Sequence, residues 1–216
     1  MAVTGTKTVS QIVTAALRKA TILAVDETAG ASIAQVALEE LNGMLKGWQS
    51  VPYSVFSKTS GSLALTTAAS YTLSPVRPIR ILSARFKDTS EMPMMEMTRE
   101  EYDTLPLKTS TGIPSTFYYD RQKEAAKLYI WPVLASATAE TIEYTYEREV
   151  EDIAALSDTI DLPAEWWEAA VYGLASRMVD TVPVHPNPQM IHIRARDLLA
   201  DVRAQDTEGS VVFGNV

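Results

Sequence analysis

Thr141-Ile142-Glu143-Tyr144-Thr145-Tyr146-Glu147 alternates polar and apolar side chains without a break. That two-residue period is the mark of a half-buried β-strand. Lys127-Leu128-Tyr129-Ile130-Trp131 and Arg80-Ile81-Leu82-Ser83-Ala84-Arg85-Phe86 read the same way, and Ser115 to Tyr119 is a further candidate strand. The polar stretch Asp120 to Ala125 suits a hairpin turn. Thr98 and Glu101 stand at capping-box spacing, so one short helix begins at Thr98. From about Tyr53 to Glu149 the chain therefore reads as a small, mostly antiparallel β module.

On both sides of this module the apolar period changes to three and four residues. Thr8 and Gln11 form a second capping-box pair, followed by the stripe Val9, Ile12, Val13, Ala16, Leu17 and Ala20. A second helix is expected from Ser32, an N-cap residue type, with Ala34, Leu38, Leu41, Leu45 and Trp48 on one face and Pro52 ending it. Gly43 and Gly47 lie inside it, each costing about 1 kcal/mol relative to Ala, and permit close backbone approach to a neighbour. Their GxxxG spacing sits in surroundings too polar for a membrane dimer. Helical spacing returns at Pro163, with Glu165 and Glu168 at the positive end of the dipole and Trp167, Ala170, Val171, Leu174, Ala175 and Met178 as the stripe. After a proline-rich break, Asn187-Pro188 reads as N-cap and first helical residue, and Ile191, Ala195, Leu198 and Val202 share a face. None of these helices buries its stripe alone. The expected architecture is α+β: a four-helix bundle from residues 1–51 and 162–205, an antiparallel β module (52–161) inserted between helices 2 and 3, and a flexible C-terminal tail (206–216).

Composition narrows the function classes. No apolar run approaches the roughly 20 residues that span a bilayer, and the polar start Met1 to Thr8 is not expected to be a secretory signal. The absence of cysteine excludes disulfides, thiolate catalysis, zinc fingers and iron–sulfur clusters. A protein that grips DNA neutralises phosphates with Lys and Arg. Here 19 such residues against 27 acids, a net charge of -8, argue against strong gripping and leave open an acidic surface past which DNA slides.

Catalytic signatures are missing. His185 and His192, the only histidines, are separated by the proline-rich break and fit no zinc pattern, so a solvated or partly packed imidazole is the better reading. There is no GxGxxG, P-loop or GxSxG. Asp158 with Asp161 and Glu147 with Glu149 are pairs expected in any acidic chain, more simply solvated charges than an acid–base couple. The aromatics Phe117-Tyr118-Tyr119, Tyr144, Tyr146 and Trp166-Trp167 have too many acidic neighbours for a base-stacking platform and favour core packing and cross-strand pairing. Met92-Pro93-Met94-Met95-Glu96-Met97 has two readings, a subunit contact through Met94 and Met95 or gap filling in the β core. No catalytic residue, metal ligand or cofactor site is expected.

The ordered set of elements resembles the head-to-tail adaptor family of tailed bacteriophages, the packaged-DNA stabilisation or head-completion connectors, and the related upper tail-tube ring proteins of short-tailed phages. The stretches that carry the resemblance are Ala15 to Lys19, Ala37 to Trp48, Ile113 to Asp120 leading into Leu128 to Pro132, Tyr144 to Arg148 preceding Asp161 to Trp166, and the tail Glu208 to Phe213. Each is a packing or turn motif, and their order across most of the chain is what matters.

The resemblance implies a non-enzymatic virion protein of the neck, assembled in the host bacterial cytoplasm as a homo-oligomeric ring, typically a dodecamer. Such a ring docks on the portal protein, continues the DNA channel, helps retain packaged double-stranded DNA without sequence-specific binding, and meets a distal tail or nozzle protein. It has no membrane partner. By the same resemblance Gly209, Ser210, Val211, Val212 and Phe213 are a portal-docking segment, which also fits a terminus that orders only on binding. Gly43, Gly47, Met94 and Met95 are the candidate subunit contacts. Two other readings stand beside it: another connector or upper tail ring component, and a ligand-binding module carried by the β insertion. A hydrolase using acidic residues has no supporting spacing.

Overall fold

Alternating and helical periods sort into separate halves of the folded chain. The computed structural model describes residues 6–49, 55–73, 77–123, 125–136, 139–182 and 184–206. Among them are five α-helices: α1 (Val9–Lys19), α2 (Ala31–Trp48), α3 (Arg99–Thr104), α4 (Trp167–Thr181) and α5 (Pro188–Gln205). Seven strands accompany them: β1 (Lys58–Ala64), β2 (Ser70–Thr72), β3 (Arg80–Lys87), β4 (Glu91–Glu96), β5 (Thr116–Asp120), β6 (Lys127–Trp131) and β7 (Thr141–Glu147). The chain divides into a helical unit, Met1–Phe56 with Val150–Val216, and a β unit, Ser57–Glu149.

The expected four-helix bundle with a small β insertion is corrected by this arrangement. The sheet is a seven-stranded mixed one that curls into a half-barrel, while the short helix expected from Thr98 is present as α3 within the β unit. The strand order is β1-β7-β3-β4-β5-β6-β2. All pairings are antiparallel except β4 with β5, which run parallel through Met95↔Thr116 and Glu96↔Phe117. The strand with the clearest alternation, β7, lies between β1 and β3 and is buried through Ile142 and Tyr146. A bulge between Ile81 and Ser83 of β3 re-phases that strand, so Ile81, Ala84 and Phe86 all reach the core although Ile81 and Ala84 are three apart. Phe117, Leu128, Ile130 and Met94 complete the same core.

The helices of the other unit do not close a symmetric bundle. α4 is central and packs on α5, α1 and α2. Ile191 of α5 joins the main core with the buried faces of α1, α2 and α4. Leu198 and Val202 join a second, smaller cluster with Trp166 and Ala169. The apolar stripe of α5 is thus shared between two cores, which a bundle with one central core does not allow. Local signals place the helix starts. Gln11 donates its amide to Thr8 Oγ1 and Thr8 donates back to Gln11 Oε1. Asn187 Oδ1 accepts from Met190 N, with Pro188 first in α5. α2 starts from Gly30 rather than Ser32, without a side-chain cap. A 3₁₀ turn, Ala164–Trp166, leads into α4.

Residues 150–161 form a strap over α1 and α2, with a turn closed by Asp158 N donating to Ala155 O. The Asn42 side chain donates to Ile153 O at 2.9 Å and accepts from Ile153 N at 3.0 Å. Lys46 donates to Val150 O at 3.1 Å and pairs with Asp152 at 2.9 Å. The first amides of α1, Val9 and Ser10, donate to Asp158 O and Leu156 O, both at 2.9 Å. Those helix-terminal donors lack intrahelical partners and are satisfied here by the strap.

Candidate assembly surfaces

Gly43 and Gly47 lie one turn apart on α2 beside the Arg177 guanidinium of α4, where a Cβ would make only ordinary van der Waals contact. A Cβ at either position would stand 3.7 and 4.0 Å from the Arg177 terminal nitrogens. Arg177 then pairs with Glu40, one turn earlier on α2, at 3.1 Å. The tighter helix contact is made by a glycine the sequence reading did not single out. A Cβ on Gly173 of α4 would meet Met44 Sδ at 2.7 Å and the Trp48 ring at 3.0 Å. That glycine sets how closely α4 approaches α2.

Met94 and Met95 part company across the sheet. Met94 is buried in the β core, whereas Met95 is 74% exposed. The Met95 amide donates to Ser115 O, two residues from the exposed Ile113, and exposed Leu107 lies in the same β4-to-β5 stretch. Met190 and Ile193 at the start of α5 are exposed as well. The segment Gly209, Ser210, Val211, Val212 and Phe213, like the rest of the tail from 207 onward, lies outside the described residues.

The aromatic residues are engaged with one another. Tyr118 and Tyr129 are cross-strand partners stacked at 5.6 Å, and Tyr102 of α3 packs on both at 5.6 and 5.0 Å. Lys108 sits 4.7 Å over the Tyr102 ring. Tyr119 donates its hydroxyl to Pro78 O at 2.6 Å, and burial pushes its pKa up to about 12. Trp166 lies against Trp48 and Phe56 at 5.8 and 5.4 Å.

The carboxylates flagged in sequence serve local structure. Glu147 is 3% exposed, stands in register between Lys58 and Arg80, and pairs with Arg80 at 2.6 Å. Glu149 pairs with Arg77 at 3.2 Å. Asp158 Oδ2 accepts from the amides of Ala154 and Ala155, and Asp161 Oδ2 accepts from Glu151 N. His192 faces Asp180 at 3.2 Å, and His185 Nδ1 accepts from Asn187 N. Among the described residues no three His, Asp or Glu side chains converge as metal ligands, and no helix is long and apolar enough to cross a membrane.

A groove between α2, α4 and α5 was not read from the sequence. Met44, Trp48 and Leu199 line it with Arg177, His192 and Arg196. The helical unit holds 8 Lys and Arg against 15 Asp and Glu, whereas the β unit holds 11 against 12. Each basic side chain of the groove stands beside a carboxylate of its own chain: Arg177 by Glu40, His192 by Asp180 and Arg196 by Asp197.

No curated protein matches the sequence. The family described as SU10 adaptor protein matches residues 7–211, which takes in both units. The chain belongs to this family of phage head-to-tail adaptors and is a structural component of a phage virion.

Proposed function

We propose that the protein assembles as a closed homo-oligomeric ring, a dodecamer by the resemblance, which docks beneath the portal, continues the DNA channel, helps retain packaged DNA and presents a surface to the next tail component. The observation that carries this reading is the family match across residues 7–211. The net charge of -8 supports a conduit: a wall that repels phosphates lets DNA pass where a basic wall holds it. Gly209 to Phe213 are the portal-docking segment in this reading, and Met95, exposed beside Ile113, belongs to a contact with a neighbouring protein. Assembly takes place in the host cytoplasm, with the portal as template.

Negative-stain electron microscopy of the purified protein mixed with the portal of the same phage tests this directly. Added ring density on the tail-facing side of the portal is expected, and its symmetry gives the copy number. A portal left bare at saturating protein rules out direct docking and moves the protein to a more distal connector position. Deleting residues 207–216 should abolish docking, with a thermal melt of the variant read alongside to establish that the fold persists.

A further inference from the structure

We infer that the helical unit carries both halves of a head-to-tail contact, in which the acidic strap of one copy lies in the basic-rimmed α2–α4–α5 groove of the next. This deepens the ring reading above and rests on it.

The strap is a preformed ridge. Asn42, Lys46 and the first amides of α1 hold its backbone, and Ile153 and Ile160 are buried beneath it. Glu151, Asp152, Ala154 and Ala155 are exposed along its top. A segment already fixed in this way loses little conformational entropy on docking. Its own charge is one-sided: residues 150–161 hold four acidic residues, Glu151, Asp152, Asp158 and Asp161, and no Lys or Arg, with Lys46 of α2 paired to Asp152.

The groove has the matching chemistry. Met44, Trp48 and Leu199 offer an apolar floor for the two alanine methyls. Arg177, His192 and Arg196 stand at the rim, where the carboxylates of Glu151 and Asp152 would arrive. Each rim group already has a carboxylate neighbour in its own chain, Glu40, Asp180 and Asp197 respectively, at 3.1 to 3.2 Å. These pairs are solvent-exposed and therefore weak, so a second carboxylate from another copy adds to them or displaces them at little cost.

The two surfaces lie on opposite sides of α2. Asn42 and Lys46, one turn apart, hold the strap, and Met44 and Trp48, also one turn apart, line the groove. At 3.6 residues per turn, an offset of two positions is a rotation of about 200°. A strap and groove on opposite sides of one unit cannot satisfy each other within a chain. Between copies they form a heterologous contact, the kind that generates a ring when its rotation closes.

The test is a charge-swap cycle on the full chain, read as ring formation with the portal of the same phage by sedimentation and electron microscopy. Arg196→Glu alone, and Glu151→Lys with Asp152→Lys, should each raise the concentration needed for ring formation at least about tenfold, and the combined variant should recover most of that loss. Ala154→Trp, a steric block with no charge change, should also abolish rings. Thermal melts of every variant establish that the fold persists. Rings that form normally from the single-side variants and from Ala154→Trp would overturn the contact while leaving the ring reading intact. So would reversal variants that lose rings with no recovery on combination. A wild-type protein that forms no ring on the portal would remove the ring reading, and this contact with it.

Discussion

Thr21 holds φ at 56° just beyond α1, a left-handed conformation that a β-branched residue adopts only under constraint. Thr21 N and Ile22 N donate to Arg18 O and Leu17 O, the paired closing bonds of a helix C-terminus that usually ends on glycine. Thr21→Gly should therefore stabilise the protein by about 0.5–1 kcal/mol, the relief of strain exceeding the added freedom of the unfolded chain. A thermal or denaturant melt measures it. Asn42→Ala removes both hydrogen bonds to Ile153 and leaves two strap backbone groups unpaired, so a loss of about 1–3 kcal/mol is expected in the same melt. Three helix caps were legible in the sequence because each is made within three residues: Thr8 with Gln11, Thr98 with Glu101, Asn187 with Met190. The partners of Gly43, Gly47 and Asn42 were not legible, because Arg177 and Ile153 arrive from more than 100 residues away in the chain and nothing local encodes them.

Among the elements, the strands that read clearly were those with one buried and one exposed face, such as β7 and β6. β1 is Lys-Thr-Ser-Gly-Ser-Leu-Ala, a polar edge strand with no alternation to detect, and β2 has only three residues. β4 contains Pro93, which ordinarily argues against an inner strand. It is tolerated because the pairing with β5 involves Met95 and Glu96, so Pro93 has no ladder partner on that side. These three strands make the difference between a small insertion and a seven-stranded sheet. α4 depends on Gly173 in the same way: Gly173→Val drives two methyls into Met44 and Trp48 and should cost about 1–3 kcal/mol. In the β unit, Tyr119 has a folded-state pKa of about 12 against the ordinary 10.0 because burial disfavours the phenolate. A raised pKa gives stability that is fully present below pH 10 and lost as pH rises toward 12. The wild type should therefore lose stability across that window, and Tyr119→Phe should show a flatter pH dependence there, together with a lower baseline from the lost bond to Pro78 O.

At the scale of the whole molecule, the acidic excess belongs to the helical unit, 15 acids against 8 bases, while the β unit is close to balance. The order of motifs along the chain was enough to place it among the head-to-tail adaptors, because a family match depends on the succession of packing and turn residues across residues 7–211 and not on any one site. The groove between α2, α4 and α5 was not legible in the same way, since it is built from three helices distant in sequence. The central claim is tested most directly by cryo-electron microscopy of the neck of the phage that encodes this chain, with its two units fitted to the density. A closed ring of this chain directly beneath the portal, around a continuous channel, is expected. A neck in which portal and tail meet with no density for this chain between them would contradict it.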